Sequence, residues 1–182
     1  ILAQDHYLFQ KESTWLFDAY SVNRISDFSK IDFESIVLSS LNEQDRDNLR
    51  PYLAKILSKC EEYQLDPFSV LSIAMVESRF KSDVISSKSA HGLMQIRAET
   101  AKHIYQIKNR GITNNELEKN LYDVDENLDL GVFYLKKLLQ NFRMNFKNAT
   151  IAYNMGPNKL KNLMAIDNNH EAISDNGYYD SV

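Results

Sequence analysis

A chain of 182 residues with 43% hydrophobic and 25% charged residues is long enough to bury a sizeable core and is neither disordered nor fibrous. Its net charge of −4, with no cluster of Lys and Arg, excludes a general nucleic-acid binder, which draws its affinity from neutralising phosphates. Five glycines and three prolines leave little room for a turn-rich β architecture, the single Cys60 excludes an intramolecular disulfide, and no apolar run reaches membrane-spanning length.

In chain order, the first residues are the least regular. The opening Ile1-Leu2-Ala3, without a Met or a basic-then-apolar leader, is expected of a processed or trimmed chain, so the missing leader does not argue against export. Trp15, Leu16, Phe17, Tyr20, Phe28, Ile31, Phe33, Ile36 and Val37 need burial but follow no clean period; residues 1–41 are expected to form an N-terminal helical extension. Asn42 can cap a helix in which Leu49, Leu53, Ile56 and Cys60 recur at three- and four-residue steps. Pro51 is expected to kink this helix or start its second half. On that stripe Cys60 reads as a core thiol and not a reactive one. Asp66-Pro67 sets an N-cap before a proline at the first helical position. Further helices are expected over Ala98 to Ile107, from about Asp125 to Phe142 with Leu128, Gly131, Leu135, Leu138 and Phe142 on one face, and around Lys147 to Tyr153. Met155-Gly156-Pro157 is expected to end the last of these with a left-handed glycine and a residue that cannot continue. Only Val84 to Ile96 offers a short irregular extended piece. The whole reads as a mainly α domain over residues 42–166. Residues 167–182, rich in Asp and Asn, follow as a surface tail whose Tyr178 and Tyr179 can dock.

One residue breaks the pattern. On a helical projection from Phe68 to Ser78, Glu77 falls beside Val70, Ile73 and Ala74 and interrupts an apolar arc. Burying an ionised carboxylate is costly unless it is paired, and burial raises its pKa. A protonated carboxyl beside a cleft is what glycosidic cleavage requires, because the leaving oxygen must gain a proton as the bond breaks. The helix alone equally allows a half-exposed Glu paired with Arg79 or Lys81.

The surrounding residues break the tie. Glu77-Ser78-Arg79-Phe80, then Ser86, then Ala90-His91-Gly92-Leu93-Met94-Gln95, and far downstream Ala152-Tyr153-Asn154-Met155-Gly156-Pro157, resemble in order and spacing the three signature blocks of the soluble lytic transglycosylases. Asn127, Gly131, Tyr134 and Leu135 resemble that family's helix before the third block, and the likeness covers roughly residues 50 to 160. The resemblance implies a lysozyme-like, mainly helical domain of the goose-type kind. It implies cleavage of the MurNAc-β-1,4-GlcNAc bond of peptidoglycan without water, leaving a 1,6-anhydromuramyl end. By position it implies Glu77 as catalytic acid and base, Ser86 as the serine contacting the sugar, and Gln95 and Tyr153 lining the cleft with Asn154 beside them. It also implies peptidoglycan glycan strands as partner, a periplasmic or cell-envelope location and no cofactor or metal. Residues 1–41 are left as a candidate surface for a cell-envelope protein. Some positions depart from the pattern: Ser89 replaces the usual glycine, Arg97 a common methionine, Met155 an alanine, and Lys81-Ser82 a frequent Asn-Pro. None removes a group the reaction needs; Ser89 and Arg97 bear on loop shape and sugar preference.

The chemistry can be checked apart from the family. Ordinary glycosidases need two carboxylates at defined separations. Asp83 and Glu99 are nearest in sequence to Glu77, yet both read as surface polar groups, and Asp66 as a helix cap. A single carboxylate suffices if the substrate supplies the nucleophile: the sugar N-acetyl group assists departure and its 6-hydroxyl attacks the anomeric carbon. Glu77 then donates one proton and accepts another, which places its pKa near the working pH. Ser86 and Gln95 would hold the N-acetyl and hydroxyl groups; Tyr153 would bind the sugar, polarise Glu77, or be a core tyrosine. Ser86 without the family reads as a solvated loop serine, and Leu93 and Met94 as packing. His6, His91, His103 and His170 are scattered, without metal-ligand spacing, and no glycine-rich phosphate loop exists. Two rivals remain: a goose-type hydrolase whose water is activated by a group such as Asp83, and a silent peptidoglycan-binding scaffold. The intact Glu77, Ser86, Gln95 and Tyr153 argue against the second.

Overall fold

A computed structural model describes residues 30–166 and 177–182. The expectations for Trp15, Leu16, Phe17, Tyr20 and Phe28, for the Ile31 side chain, and for tail residues 167–176, lie outside the described residues. The chain divides into two compact units, Ile1–Asn42 and Glu43–Val182. Described in the first is helix α1, Lys30–Ser40, on which Phe33 and Val37, one turn apart, are buried while Ile36 is exposed.

The second unit begins with α2, Glu43–Leu49, and α3, Leu53–Tyr63. The single kinked helix expected here is thus two. Pro51 has no N–H to give to a helix ladder, and the chain turns at Arg50-Pro51-Tyr52 before it resumes. Leu53, Ile56 and Cys60 are buried on α3, as their spacing requires. Burial pushes the Cys60 thiol up to about 12, so it is an inert core group. Helix α4, Pro67–Ser78, starts as read: Asp66 accepts from the Ser69 N–H at 2.8 Å and Pro67 stands in the first turn.

A loop then carries a two-stranded antiparallel ladder, β1 Ala90–His91 and β2 Ile96–Arg97, with an isolated bridge from Ile85 to His91. Helix α5 spans Ala98–Ile107, as expected. Helix α6, Asn114–Tyr122, was not anticipated; its signal is the reciprocal capping of Thr113 and Glu116. Helix α7, Val124–Asn141, and α8, Phe146–Met155, are capped by Asp123 and Asn145. The stop expected at Met155-Gly156-Pro157 is where the helix ends, but its geometry differs from the expected one. Gly156 has φ 91° and ψ 140°, an extended rather than helical left-handed geometry, and Pro157 opens a further helix, α9, Pro157–Ile166. Proline cannot continue a helix but is well suited to begin one. Residues Tyr179–Ser181 close the chain with one 3-10 turn.

The core is arranged about α7, which packs against α3, α6 and α8. Its Leu128, Leu130, Val132, Leu135 and Leu138 are almost wholly buried, so the chain is a mainly α fold with nine helices among the described residues. Gly131 lets α7 come against the loop: a Cβ there would stand 2.4 Å from Met94 Cβ. In an open helix, Gly→Ala gains about 1 kcal/mol from propensity. Here the added methyl must displace the fully buried Met94. Gly131→Ala is therefore expected to destabilise the protein by about 1–3 kcal/mol, the usual cost of overpacking. A urea midpoint equal to or above wild type would show that helix and loop separate freely.

Candidate active site

Glu77 is the penultimate residue of α4, and that helix end is fixed from the loop side. Ser78, itself buried, donates to the carbonyls of Ala74 at 3.1 Å and Leu93 at 2.8 Å. The loop is in turn seated on α7. Asn127 accepts from the Met94 N–H at 2.9 Å and donates to the carbonyls of His91 and Leu121. Gly92, with φ 74°, lies so close to this amide that a Cβ would meet Asn127 Nδ2 at 2.6 Å. Leu93 and Met94 are fully buried packing residues, as expected.

The Glu77 carboxyl is half-buried, and burial raises its pKa above the ordinary carboxylate value. Against this acts one strong hydrogen bond, from the Tyr178 hydroxyl to Oε1 at 2.5 Å. The pairing of Glu77 with Arg79 or Lys81 that the helix alone allowed is not what forms; Arg79 donates instead to both oxygens of Asp45, at 2.9 and 2.6 Å. Among the described residues no second carboxylate shifts Glu77. Asp83 and Glu99 are exposed, as expected of surface groups.

The other residues singled out in the sequence have unequal duties, and of them Tyr153 is the one whose electrostatics register Glu77. Ser86 Oγ accepts from the backbone N–H groups of Ala90 at 3.0 Å and Lys88 at 3.3 Å, which shapes the loop and leaves its own proton to donate. Gln95, at φ 48°, gives its amide nitrogen to the carbonyls of Val84 and Gly92. Its amide oxygen remains as the group it can offer. Tyr153 is buried, and its hydroxyl donates to the Met94 carbonyl at 2.9 Å, not to Glu77. It lies near enough to feel the carboxylate, which together with burial keeps the phenol neutral, its pKa well above the usual value. Tyr134 of α7 tilts over its ring at 5.2 Å and is itself pushed up to about 12 by burial. Asn154 is exposed at the end of α8.

Tyr178 is the residue that sequence reasoning did not assign. Only its place in an aromatic tail end marked it as able to dock. Docking is aided by Tyr179, whose ring lies 5.2 Å from Lys147 Nζ of α8. Two hollows on the surface, one lined by Asn115, Glu118, Lys119 and Tyr122, the other by Lys59, Tyr63, Lys108 and Asp129 among others, contain no residue of this site. Among the described residues no three His, Cys, Asp or Glu converge as metal ligands, and no helix is long and apolar enough to cross a membrane.

Comparison with known proteins gives the family and the fold. Residues 55–176 match the transglycosylase SLT domain family. The chain is 30% identical over 124 residues to membrane-bound lytic murein transglycosylase C of Serratia proteamaculans, covering 64% of this chain and 34% of that protein. The same protein of Mannheimia succiniciproducens is 30% identical over 141 residues, covering 73% and 38%. The chain thus spans little more than a third of the length of these relatives. Among solved structures, an inactive Glu-to-Gln mutant of lytic transglycosylase Slt from Pseudomonas aeruginosa superposes with TM-score 0.57 at 25% identity, covering 84% of this chain and 22% of that one. The 70 kDa soluble lytic transglycosylase of Escherichia coli shares the fold, with TM-score 0.56 at 22% identity over 86% of this chain and 28% of that one. The match runs from α3 through the Glu77 turn, the Asn127-seated loop and α8, and on that ground the chain belongs to the transglycosylase SLT domain family.

Proposed function

We propose that the chain is the catalytic domain of a peptidoglycan lytic transglycosylase that cleaves the MurNAc-β-1,4-GlcNAc bond without water. The observation that carries this reading is a half-buried Glu77 carboxyl whose pKa is raised by burial, with a hydroxyl donor at 2.5 Å and, among the described residues, no second carboxylate in the groups that shift it. A lone carboxyl in that setting suits a reaction in which one residue is first acid and then base. In the proposed course, protonated Glu77 gives its proton to the leaving glycosidic oxygen while the sugar's N-acetyl group assists departure. As carboxylate, stabilised by the Tyr178 hydroxyl, it then takes the proton of the 6-hydroxyl as that oxygen closes on the anomeric carbon. Ser86 would donate its remaining proton to the substrate, and Gln95 would offer its amide oxygen. Tyr153 serves by holding the Met94 carbonyl, and through it the loop. Asn154, exposed at the end of α8, would meet the glycan. The relatives' names place them at a membrane and on murein, which supports an envelope location and, for this chain, the periplasm.

Digestion of purified sacculi followed by mass spectrometry of the muropeptides is expected to yield 1,6-anhydromuramyl products; products carrying an added water would assign a hydrolase instead. Glu77→Gln is expected to fold and to lose at least about a hundredfold in rate, the scale of general acid–base catalysis.

The same substitution has a stability consequence whose sign follows from linkage. Because the folded pKa of Glu77 is raised, the folded state holds its proton more tightly than the unfolded chain, and stability falls as pH rises from the unfolded value, 4.5, through the folded one. Glu77→Gln removes that loss. Its melting temperature is expected to exceed wild type at neutral pH and to converge with it below about pH 4.5. A constant difference across pH would contradict the buried carboxyl.

Tyr178→Phe removes the donor that favours the ionised form, so the pKa of Glu77 should rise further. Since the first step needs protonated Glu77, the descending limb of kcat/KM against pH is expected to move to higher pH, with kcat lowered by the weaker second step. A limb that stays or moves to lower pH would remove Tyr178 from the mechanism.

A further inference from the structure

Arg79 is the cation nearest to Glu77 in sequence, two residues on, yet its guanidinium turns to α2. Its Nε and Nη2 donate to the two oxygens of Asp45, a bidentate pair. The carboxylate of that pair is completely buried whereas the arginine side chain is 59% exposed. The turn that carries Arg79 is disfavoured, since Arg79 and Phe80 both lie in the left-handed region, at φ 53° and 59°. Asn48 of α2 secures the same turn by donating to the Arg79 carbonyl at 3.0 Å, its own amide oxygen accepting from Gln44 at 3.2 Å. As a device for stability this is poor, because desolvating the Asp45 carboxylate offsets most of the attraction. Its effect on Glu77 is the more telling one.

We propose that Asp45 is a positioning residue for Glu77: by gripping Arg79 on the α2 side of the turn, it keeps the nearest cation off the catalytic carboxyl. The inference rests on the reading of Glu77 as acid and base. Among the described residues, the titratable groups shown to face Glu77 are phenols, Tyr178 from the C-terminal turn and Tyr153 of α8, with Tyr134 of α7 behind it. Helix α4 has no other ionisable residue. On α3, which packs against it, Lys55 and Lys59 are engaged by Asp125 and Asp129, and Cys60 is buried. Lys81, Asp83 and Lys88 on the following loop are exposed. Arg79 released from Asp45 would leave a guanidinium two residues from a partly desolvated carboxylate, free to swing back onto it. An opposite charge at that range favours the ionised form and would withdraw the proton the first step needs.

The test follows the titration of Glu77 directly, by carboxyl 13C NMR of the protein labelled at glutamate, with the Glu77 resonance assigned by its loss in Glu77→Gln. Asp45→Asn is expected to lower the midpoint of Glu77 by about one unit, the lower end of the effect of a neighbouring opposite charge. Arg79→Gln alone should leave the midpoint in place, and the double variant Asp45→Asn/Arg79→Gln should return it to wild type. Should Asp45→Asn fail to fold, Arg79→Lys gives the same reading, since it keeps the charge and cannot form the bidentate pair. An unmoved midpoint in the variants that free the cation, or a lowered one that persists in the double variant, overturns the proposal. Activity on sacculi is scored separately. Turnover retained by Glu77→Gln would sink the catalytic reading, whatever the titration of Glu77 shows about Asp45 and Arg79.

Discussion

The site depends on one buried amide. Asn127, 1% exposed on α7, uses both donors and its acceptor on the backbone of other segments: Met94 N–H, His91 carbonyl and Leu121 carbonyl. The loop it holds has only a two-residue ladder of its own, too little to fix a backbone in place. What fixes it is the amide, with Gly92 pressed on one side of it and Gly131 admitting Met94 a turn further along α7. Without Asn127, the buried Met94 N–H would lose this partner, a cost of about 1–3 kcal/mol. Two further contacts follow from that seating. The Leu93 carbonyl is aimed at Ser78, which secures the end of α4, and the Met94 carbonyl at Tyr153, which secures α8. One side chain thus sets the mutual placement of the helix that carries Glu77 and the helix that carries Tyr153.

Strain collects around the same place. Arg79, Phe80, Ser89 and Gln95, four of the eight non-glycine residues described with positive φ, lie at the end of α4 and on the loop that follows it. Each costs on the order of 1–2 kcal/mol. Such conformations persist where the surroundings over-determine them. Arg79 is held by Asp45 and Asn48, and Gln95 by its own amide bonds to Val84 and Gly92. Ser89 is held through its N–H to the Ser86 carbonyl. The Ser89 replacement of a customary glycine is therefore tolerated by the turn, not by relaxing it.

What the sequence made legible follows from which forces are local. Helices α4, α5, α7 and α8 could be read because their caps and apolar periods lie within the segment, as Asp66 shows for α4 and the Leu128 to Leu138 stripe for α7. Helix α6 carries a sound cap in Thr113 and Glu116, but its stretch Asn114–Tyr122 is polar apart from Leu117, Leu121 and Tyr122, and periodicity alone passes over it. Glu77 stood out because a carboxylate in an apolar arc is a local contradiction. Ser86, Gln95 and Tyr153 were singled out by the motif, and the structure gives them loop-holding bonds, local for Ser86 and Gln95 and 59 residues distant for Tyr153 and Met94. Tyr178 and Asp45 were beyond reach because each meets its partner across many residues, 101 of them for Tyr178 and Glu77 and 34 for Asp45 and Arg79.

Those two long-range partners act on Glu77 in complementary ways. A carboxyl that must release a proton and then reclaim one cannot be pinned in either state. A cation at contact would hold it ionised; an apolar pocket without donors would hold it protonated. Here burial favours the protonated form, the Tyr178 hydroxyl favours the ionised one, and the cation closest in sequence is engaged elsewhere by Asp45. A phenol suits the intermediate role because burial and the neighbouring carboxylate raise its own pKa, so it stays a neutral donor whichever state Glu77 occupies. The balance is then set by one hydrogen bond against desolvation, opposite in sign, with desolvation the larger. Under the proposed mechanism that balance is what allows a single carboxyl to serve both steps.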